Sequence, residues 1–488
     1  MALITENESD NRQFLSLHER YSVMRRNAGF GNIVIAVFKY PNQSASPTRS
    51  FLENRIKELQ EHFPLLCSDI KGARTSKPYF SKRQDPWSAS DILFSANYTP
   101  KSSKEEEIEH VYSTELWMLP DNPDFYRKQQ WKVRMLTHPT QPENSPVYIS
   151  LGLDHALVDG RGLIAICNAL FAEDISSLPY EKLPSTTSMD ATINCKPSLS
   201  YMLPIVFQKL ILPKFPNFIQ YYFKSPAPWP STNLRANPTL CPSAESILFL
   251  PPDLIGSLKT VAKQHNIKTL HPIFKAAFIA GIWSVFGQDK AQLPVHASSP
   301  RSERNPSLGH SHCLRNYTSS YGVDFNLTGS EDVWTMAKKM ADDLQDAKIL
   351  EESRMTMGML SYVPDGDIDP PHEDIHRPTK WEDYFLNEAN SPTPYSNSLS
   401  LSNLGFTNLP NGAEDMVWGQ EASPFTAPFN VGLVGHQAGV RMISYWREGS
   451  VVVKEEVKQL ETAFATVLRK LVAGHKDTTL IGLTQDIN

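Results

Sequence analysis

Apolar and polar positions alternate most clearly at Val147-Tyr-Ile-Ser-Leu-Gly-Leu153. Val147, Ile149, Leu151 and Leu153 share one face and smaller or polar groups take the other, which predicts a strand. The period then changes: Gly162-Leu-Ile-Ala-Ile-Cys-Asn-Ala-Leu-Phe171 predicts an amphipathic helix. Between them the strand ends in Asp154-His155 and the chain turns through Asp159-Gly160-Arg161-Gly162, presenting an imidazole at a strand tip. Gly160 and Gly162 keep side chains out of the turn and allow positive φ. Upstream, Phe51–Phe63 places Leu52, Ile56, Leu59 and Phe63 on one helical face, and Pro64 stops it. Trp131–Leu136 reads as a further strand, so the first part is a mixed α/β unit.

From about Asp174 to Pro242 the periodicity fails and proline, serine and threonine accumulate, as in a crossover or linker. Inside it, Leu199–Pro213 is strongly apolar and is followed by Phe215, Phe218, Tyr221, Tyr222 and Phe223. Lys209, Lys214 and Lys224 interleave, so a peripheral membrane contact through 199–224 is one reading. The breakers Pro204, Pro213 and Pro216 favour the other, a linker wrapped against the domains.

The second part opens with a strand at Ser246–Leu250, then helices at Leu254–His265 and Pro272–Phe286. Pro294–Ser299 suggests a strand leading to Arg301. Tyr395–Ser402, Gly432–Val434 and Val440–Trp446 read as strands, and Val453–Val472 as a long closing helix. The expected division is 1–185, a crossover at 186–242, and 243–488. A chain of 488 residues exceeds a usual single core, in keeping with two domains.

Composition narrows the classes. The net charge of −6 and the lack of a long basic run argue against a nucleic-acid partner. Five scattered cysteines without a C-x-x-C pair make a disulfide framework or structural zinc unexpected and point to a reducing compartment. The acidic start lacks a hydrophobic signal core, and no run approaches the roughly 18 apolar residues of a spanning helix. The expectation is a cytoplasmic monomer, with a membrane surface as the alternative location.

Chemistry concentrates at His155. Histidine titrates near neutrality and can take a proton at cellular pH, and such a general base is typically worth about two to four orders of magnitude in rate. Asp159 could orient the imidazole or hold the turn through an arginine. The competing reading is a buried histidine bonded to a backbone carbonyl, with Asp159 as the N-cap of the next helix. The strand-to-helix setting and Gly160 favour catalysis.

His155-Ala-Leu-Val-Asp159-Gly160 after a strand resembles the H-x-x-x-D-G motif of the CoA-dependent acyltransferase superfamily. That superfamily includes chloramphenicol acetyltransferase, the BAHD enzymes and peptide-synthetase condensation domains. The resemblance is nearest to the fungal alcohol O-acetyltransferases, through Leu17–Arg26, Trp131–Leu136, Ser299-Pro-Arg-Ser-Glu-Arg304 and Ser400-Leu-Ser-Asn-Leu-Gly405 in that order. The chain lacks the D-F-G-W-G segment of BAHD enzymes, and Asp154 stands where condensation domains carry a second histidine. The resemblance implies an α/β (α+β) fold of two chloramphenicol-acetyltransferase-like subdomains with an active-site tunnel between them. It implies acetyl-CoA as cosubstrate, no permanent cofactor, a small hydrophobic or secondary-metabolite alcohol as acceptor, and His155 as general base. It also implies a structural pairing of Asp159 with Arg301, and Ser402 and Asn403 near the tunnel as oxyanion donors. Ser-Asn-x-Gly describes an ordinary turn equally well. An amine acceptor, a carrier-bound thioester or a non-catalytic binding role remain the alternatives.

A rival motif, His372-Glu-Asp-Ile-His376, matches H-E-x-x-H. Pro370-Pro371 and Pro378 oppose the helix that zinc would need, so no metal is expected. Asp365, Asp367 and Asp369 begin like a calcium loop, but Pro370 replaces the turn glycine. Leu308-Gly-His-Ser311 only faintly resembles a phosphopantetheine site, and Gly29-Phe-Gly31 lacks the third glycine of a dinucleotide fingerprint.

Overall fold

The computed structural model describes residues 12–118, 129–140, 142, 144–178, 188–223, 227–305, 313–364 and 379–485. Its strands are, in chain order, β1 (Arg12–Phe14), β2 (Ile33–Tyr40), β3 (Ser68–Lys71), β4 (Tyr79–Lys82), β5 (Leu93–Asn97), β6 (Trp131–Thr137), β7 (Val147–Asp154), β8 (Ser243–Leu250), β9 (Leu293–Ser302), β10 (Thr318–Leu327), β11 (Leu399–Phe406), β12 (Asp415–Gln420), β13 (Phe429–His436) and β14 (Gly439–Arg447). They form two mixed sheets, β12-β2-β7-β6-β5 and β10-β9-β11-β13-β14-β8, with a small third sheet, β1-β4-β3. Helices flank both large sheets, the two-lobed architecture expected from the resemblance.

The alternation in β7 sets one face of the first sheet. Val147, Ile149, Leu151 and Leu153 pack with Leu52, Ile56 and Leu59 of the helix Arg49–His62 and with Leu163 and Ile166 of the helix Gly160–Phe171. The other face is buried as well. Tyr148 joins Ile33, Ile35 and Val37 of β2 in a cluster that reaches Ile247, Ile443 and Tyr445 of the second sheet. Ser150 is satisfied there by Glu115, whose carboxylate accepts its hydroxyl proton at 2.5 Å.

The lobes share more than a contact. β12 comes from the second half of the chain but pairs antiparallel with β2, with Trp418 opposite Ala36. The first lobe's sheet is therefore completed by a strand that starts at Asp415, 382 positions after Ile33 at the start of β2. In the second lobe, the helix His271–Phe286 is buried almost all round between the sheet and the closing helix Lys454–Val472.

The segment 199–223 touches the body of the protein at a few points, Tyr201 to Thr356 and Lys209 to Glu388, and leaves most of its apolar side chains exposed. It forms short helices at Leu199–Val206 and Asn217–Phe223 joined by a π-helical stretch, Phe207–Ile211, and a 3-10 turn, Leu212–Lys214, and neither of the two α-helices has a buried residue. Leu212 is the anchor, 2% exposed. Among the described residues no helix is long and apolar enough to cross a membrane.

Candidate active site

His155 follows directly on β7, and its backbone N–H donates to the carbonyl of Asn32 at 2.8 Å. The turn is built by Asp154, fully buried, whose carboxylate accepts from Asn32 Nδ2 at 2.7 Å, from the Ala156 N–H at 2.8 Å and from Arg26 Nη1 at 2.9 Å. Asn316 Nδ2 donates to the His155 carbonyl at 2.6 Å from the other lobe. The histidine is thus pinned through its backbone, leaving the ring to the site.

Asp159 caps the next helix and also holds the turn through an arginine. Its Oδ1 caps the helix Gly160–Phe171, accepting the Gly162 N–H at 2.8 Å. The same carboxylate receives Arg304 Nη2 at 2.8 Å and Nε at 3.1 Å, and the Tyr317 N–H at 3.0 Å. Burial opposes ionisation of Asp159, but the Arg304 guanidinium and these donors outweigh it and hold the carboxyl below its usual range. The arginine is Arg304, not the expected Arg301. Arg301 lies inside β9, opposite Ser319 on β10, and the strand runs three residues beyond the Ser299 at which the sequence suggested it ends. Arg304 is therefore the arginine past the strand that turns back to the aspartate.

The two glycines serve by absence of volume rather than by positive φ. A Cβ on Gly160 would run into Leu404 Cδ2, and one on Gly162 would sit 3.2 Å from Arg304 Nη2. Neither residue is among the positive-φ glycines.

A second histidine joins the first. The helix Leu17–Asn27 begins with a capping box, Ser16 with Glu19, and Glu19 also pairs with the buried Arg315 (Nη2 to Oε2 2.8 Å, Nε to Oε1 2.9 Å). That pair docks the helix so that His18 lies edge-on to His155, ring centroids 5.5 Å apart, with Arg25 on the same side. Both imidazoles are shifted below the ordinary histidine range. Burial pushes His155 down, Arg25 adds to it, and its own carbonyl, Asp159 and Asp154 oppose only in part. His18 is pushed to about 3 by burial and then by His155. The Nδ1 atoms of both rings are buried without a hydrogen-bond partner.

These groups face a cavity of about 690 Å³ lined from both lobes. The first lobe contributes His18, Arg25, His155 and Gly160; the second contributes Ser298, Ser400, Ser402 and Asn430. In β11, Leu399 and Leu401 enter the core while Ser400 and Ser402 line the cavity, as strand alternation requires. Asn403 does not join them: its Oδ1 accepts the N–H of Gly405 at 2.7 Å, with Gly405 at φ 78°. It forms the turn that Ser-Asn-x-Gly also describes. His18, Arg25, Arg304 and Asn316 were not singled out as site residues from sequence. The capping pattern Ser16-Leu-His-Glu19 was a legible signal for the helix that carries the first two.

Among the described residues no cluster of His, Cys, Asp or Glu is arranged to hold a metal. His372-Glu-Asp-Ile-His376, the Asp365–Asp369 loop and Leu308–Ser311 lie outside the described residues.

A scan of the sequence against protein-family models finds no match, and a search of curated proteins finds no similar sequence. Solved structures do match. The trichothecene 15-O-acetyltransferase TRI3 from Fusarium sporotrichioides superposes with a TM-score of 0.63 at 10% identity, over 95% of this chain and 96% of that one. The condensation domain of the monacolin K polyketide synthase MokA gives 0.62 at 9% identity over 96% and 98%. The EpoB cyclization-docking bidomain from Sorangium cellulosum gives 0.61 at 14% identity over 94% and 85%. The fold is therefore the two-lobed one these proteins share, along essentially the whole chain.

Proposed function

We propose that the protein transfers an acyl group, acetyl from acetyl-CoA, to the hydroxyl of a small hydrophobic alcohol. The observation that carries this reading is the placement of His155 at a strand tip, beside His18 and opening on a cavity lined from two lobes. TRI3, an acetyltransferase by name, shares the fold. His155 takes the proton of the acceptor hydroxyl as its oxygen attacks the thioester carbonyl, forming the C–O bond. The C–S bond then breaks, and the imidazolium returns the proton to the departing thiolate as CoA-SH. No covalent enzyme intermediate is needed. Ser402 is the donor proposed for the tetrahedral oxyanion, and loss of such a donor typically lowers the rate about 10²–10³-fold. Asp159 and Arg304 are positioning residues that fix the turn.

The donor half is tested without knowing the acceptor, by a thermal-shift titration with acetyl-CoA against free acetate and adenosine. Ligand at about one hundred times its dissociation constant stabilises the native state by about 2.7 kcal/mol. A saturable shift specific to acetyl-CoA supports the reading. No shift at millimolar ligand rejects CoA as carrier and turns attention to carrier-bound thioesters.

A further inference from the structure

Of the fifteen exposed large apolar side chains among the described residues, nine lie between 199 and 223: Leu199, Leu203, Leu210, Ile211, Phe215, Phe218, Tyr221, Tyr222 and Phe223. Tyr221 and Tyr222 are 83% and 79% exposed, and Leu199 is 71% exposed. Apolar surface is not unusual when scattered, but a contiguous cluster of this size marks an interaction site.

From this surface we infer that the lobe 199–223 docks on an anionic lipid bilayer, beside the mouth of the cavity. Charge is the first argument. The segment contains no aspartate or glutamate and carries Lys209 and Lys214, both exposed, in a chain of net charge −6. Composition is the second. The cores of protein–protein interfaces are depleted of lysine, whereas at a lipid surface a lysine stem lies along the apolar layer with its ammonium among the headgroups. Tyrosine and phenylalanine interleaved with lysine suit that boundary. Placement is the third: Tyr201 and Lys209 belong to the lobe and line the cavity, Tyr201 bridging to Thr356 at 2.7 Å and Lys209 to Glu388 at 3.7 Å. A membrane-dissolved alcohol leaving the bilayer here would meet the cavity without crossing bulk water. That last step rests on the function proposed above; the docking does not.

The test is co-sedimentation of the full chain with phosphatidylcholine vesicles, with and without phosphatidylserine. A triple variant, Leu210→Ser, Phe218→Ser and Tyr222→Ser, touches no residue of the cavity and is run in parallel. The expected result is wild-type protein pelleting with phosphatidylserine vesicles, weakened by salt, and partitioning of the triple variant lower by about tenfold or more. The variant should keep its thermal melt and its response to acetyl-CoA. Wild-type protein that stays in the supernatant with both vesicles overturns the inference. So does a concentration-dependent dimer, abolished by the triple variant, that forms in place of vesicle binding. Vesicle binding without any response to acetyl-CoA would keep the docking and reject the acyl-transfer reading instead.

Discussion

The turn after β7 and the lobe 199–223 invert the usual arrangement of a soluble protein. Around the turn the charges are inside: Glu19, Asp154 and Asp159 are at most 3% exposed and each meets an arginine, Arg315, Arg26 and Arg304 respectively. In the lobe the apolar groups are outside, with Leu212 as the anchor. Buried ion pairs stabilise little relative to apolar packing, but removing one partner is severe. They are therefore suited to fixing geometry, here the position of one imidazole against two lobes. The exposed apolar side chains of 199–223 make few contacts within the chain, so substitutions at them should be tolerated where those at the turn are not.

Substitutions can break that contrast. The largest effect is expected from Asp159→Ala or Glu19→Ala, each of which strands a buried arginine and should cost about 3–5 kcal/mol, read as a fall in urea midpoint or loss of soluble yield. A variant of either kind with wild-type stability would show that the pairs do not hold the turn. Next, Gly160→Ala should cost about 1–3 kcal/mol by driving a methyl into Leu404, and Leu404→Ala combined with it should cost less than the two changes summed. Full additivity would mean the close approach does not matter.

A smaller effect separates the two histidines from the charges around them. The folded chain holds His18 at about 3 against an ordinary 6.5, so the unfolded state binds the extra proton between those values. The contribution of His18 to stability is then flat above pH 6.5 and falls as pH drops toward 3. His18→Gln should flatten the loss of stability in that window, measured by melts across pH; an unchanged profile would remove His18 from the account. The smallest effect is expected in the lobe, where Leu210→Ser or Phe218→Ser should change stability by no more than about 0.5 kcal/mol. A larger loss would mean the lobe packs on the body of the protein after all.

The same contrast explains what the sequence could show. The alternation in β7 and the helix after Asp159 were legible because one hydrophobic stripe dominates each. β2, the interior strand between β12 and β7, carries the run Ile33-Val-Ile-Ala-Val-Phe38, and because both its faces are buried no alternation marks it. β12 was hidden for a different reason: nothing local to Asp415–Gln420 says that it will pair with a strand far back in the chain. Ser-Pro-Arg-Ser-Glu-Arg304 offered two arginines, and the choice between Arg301 and Arg304 depended on where β9 stops, a boundary set by its pairing with β10. Asn316 was illegible because it reaches His155 from the opposite lobe, a contact between residues 161 positions apart.

The central claim is that His155 removes the acceptor proton. Its most direct test is release of free CoA from acetyl-CoA across a panel of hydrophobic alcohols, comparing wild type with His155→Ala at matched thermal stability. With the imidazole pKa held below 6.5, the wild-type rate should be level through neutral pH and decline only on the acid side of that value. The variant should fold normally and turn over about 10²–10⁴ times more slowly. A folded His155→Ala protein that releases CoA at the wild-type rate, with the same pH profile, would contradict the account.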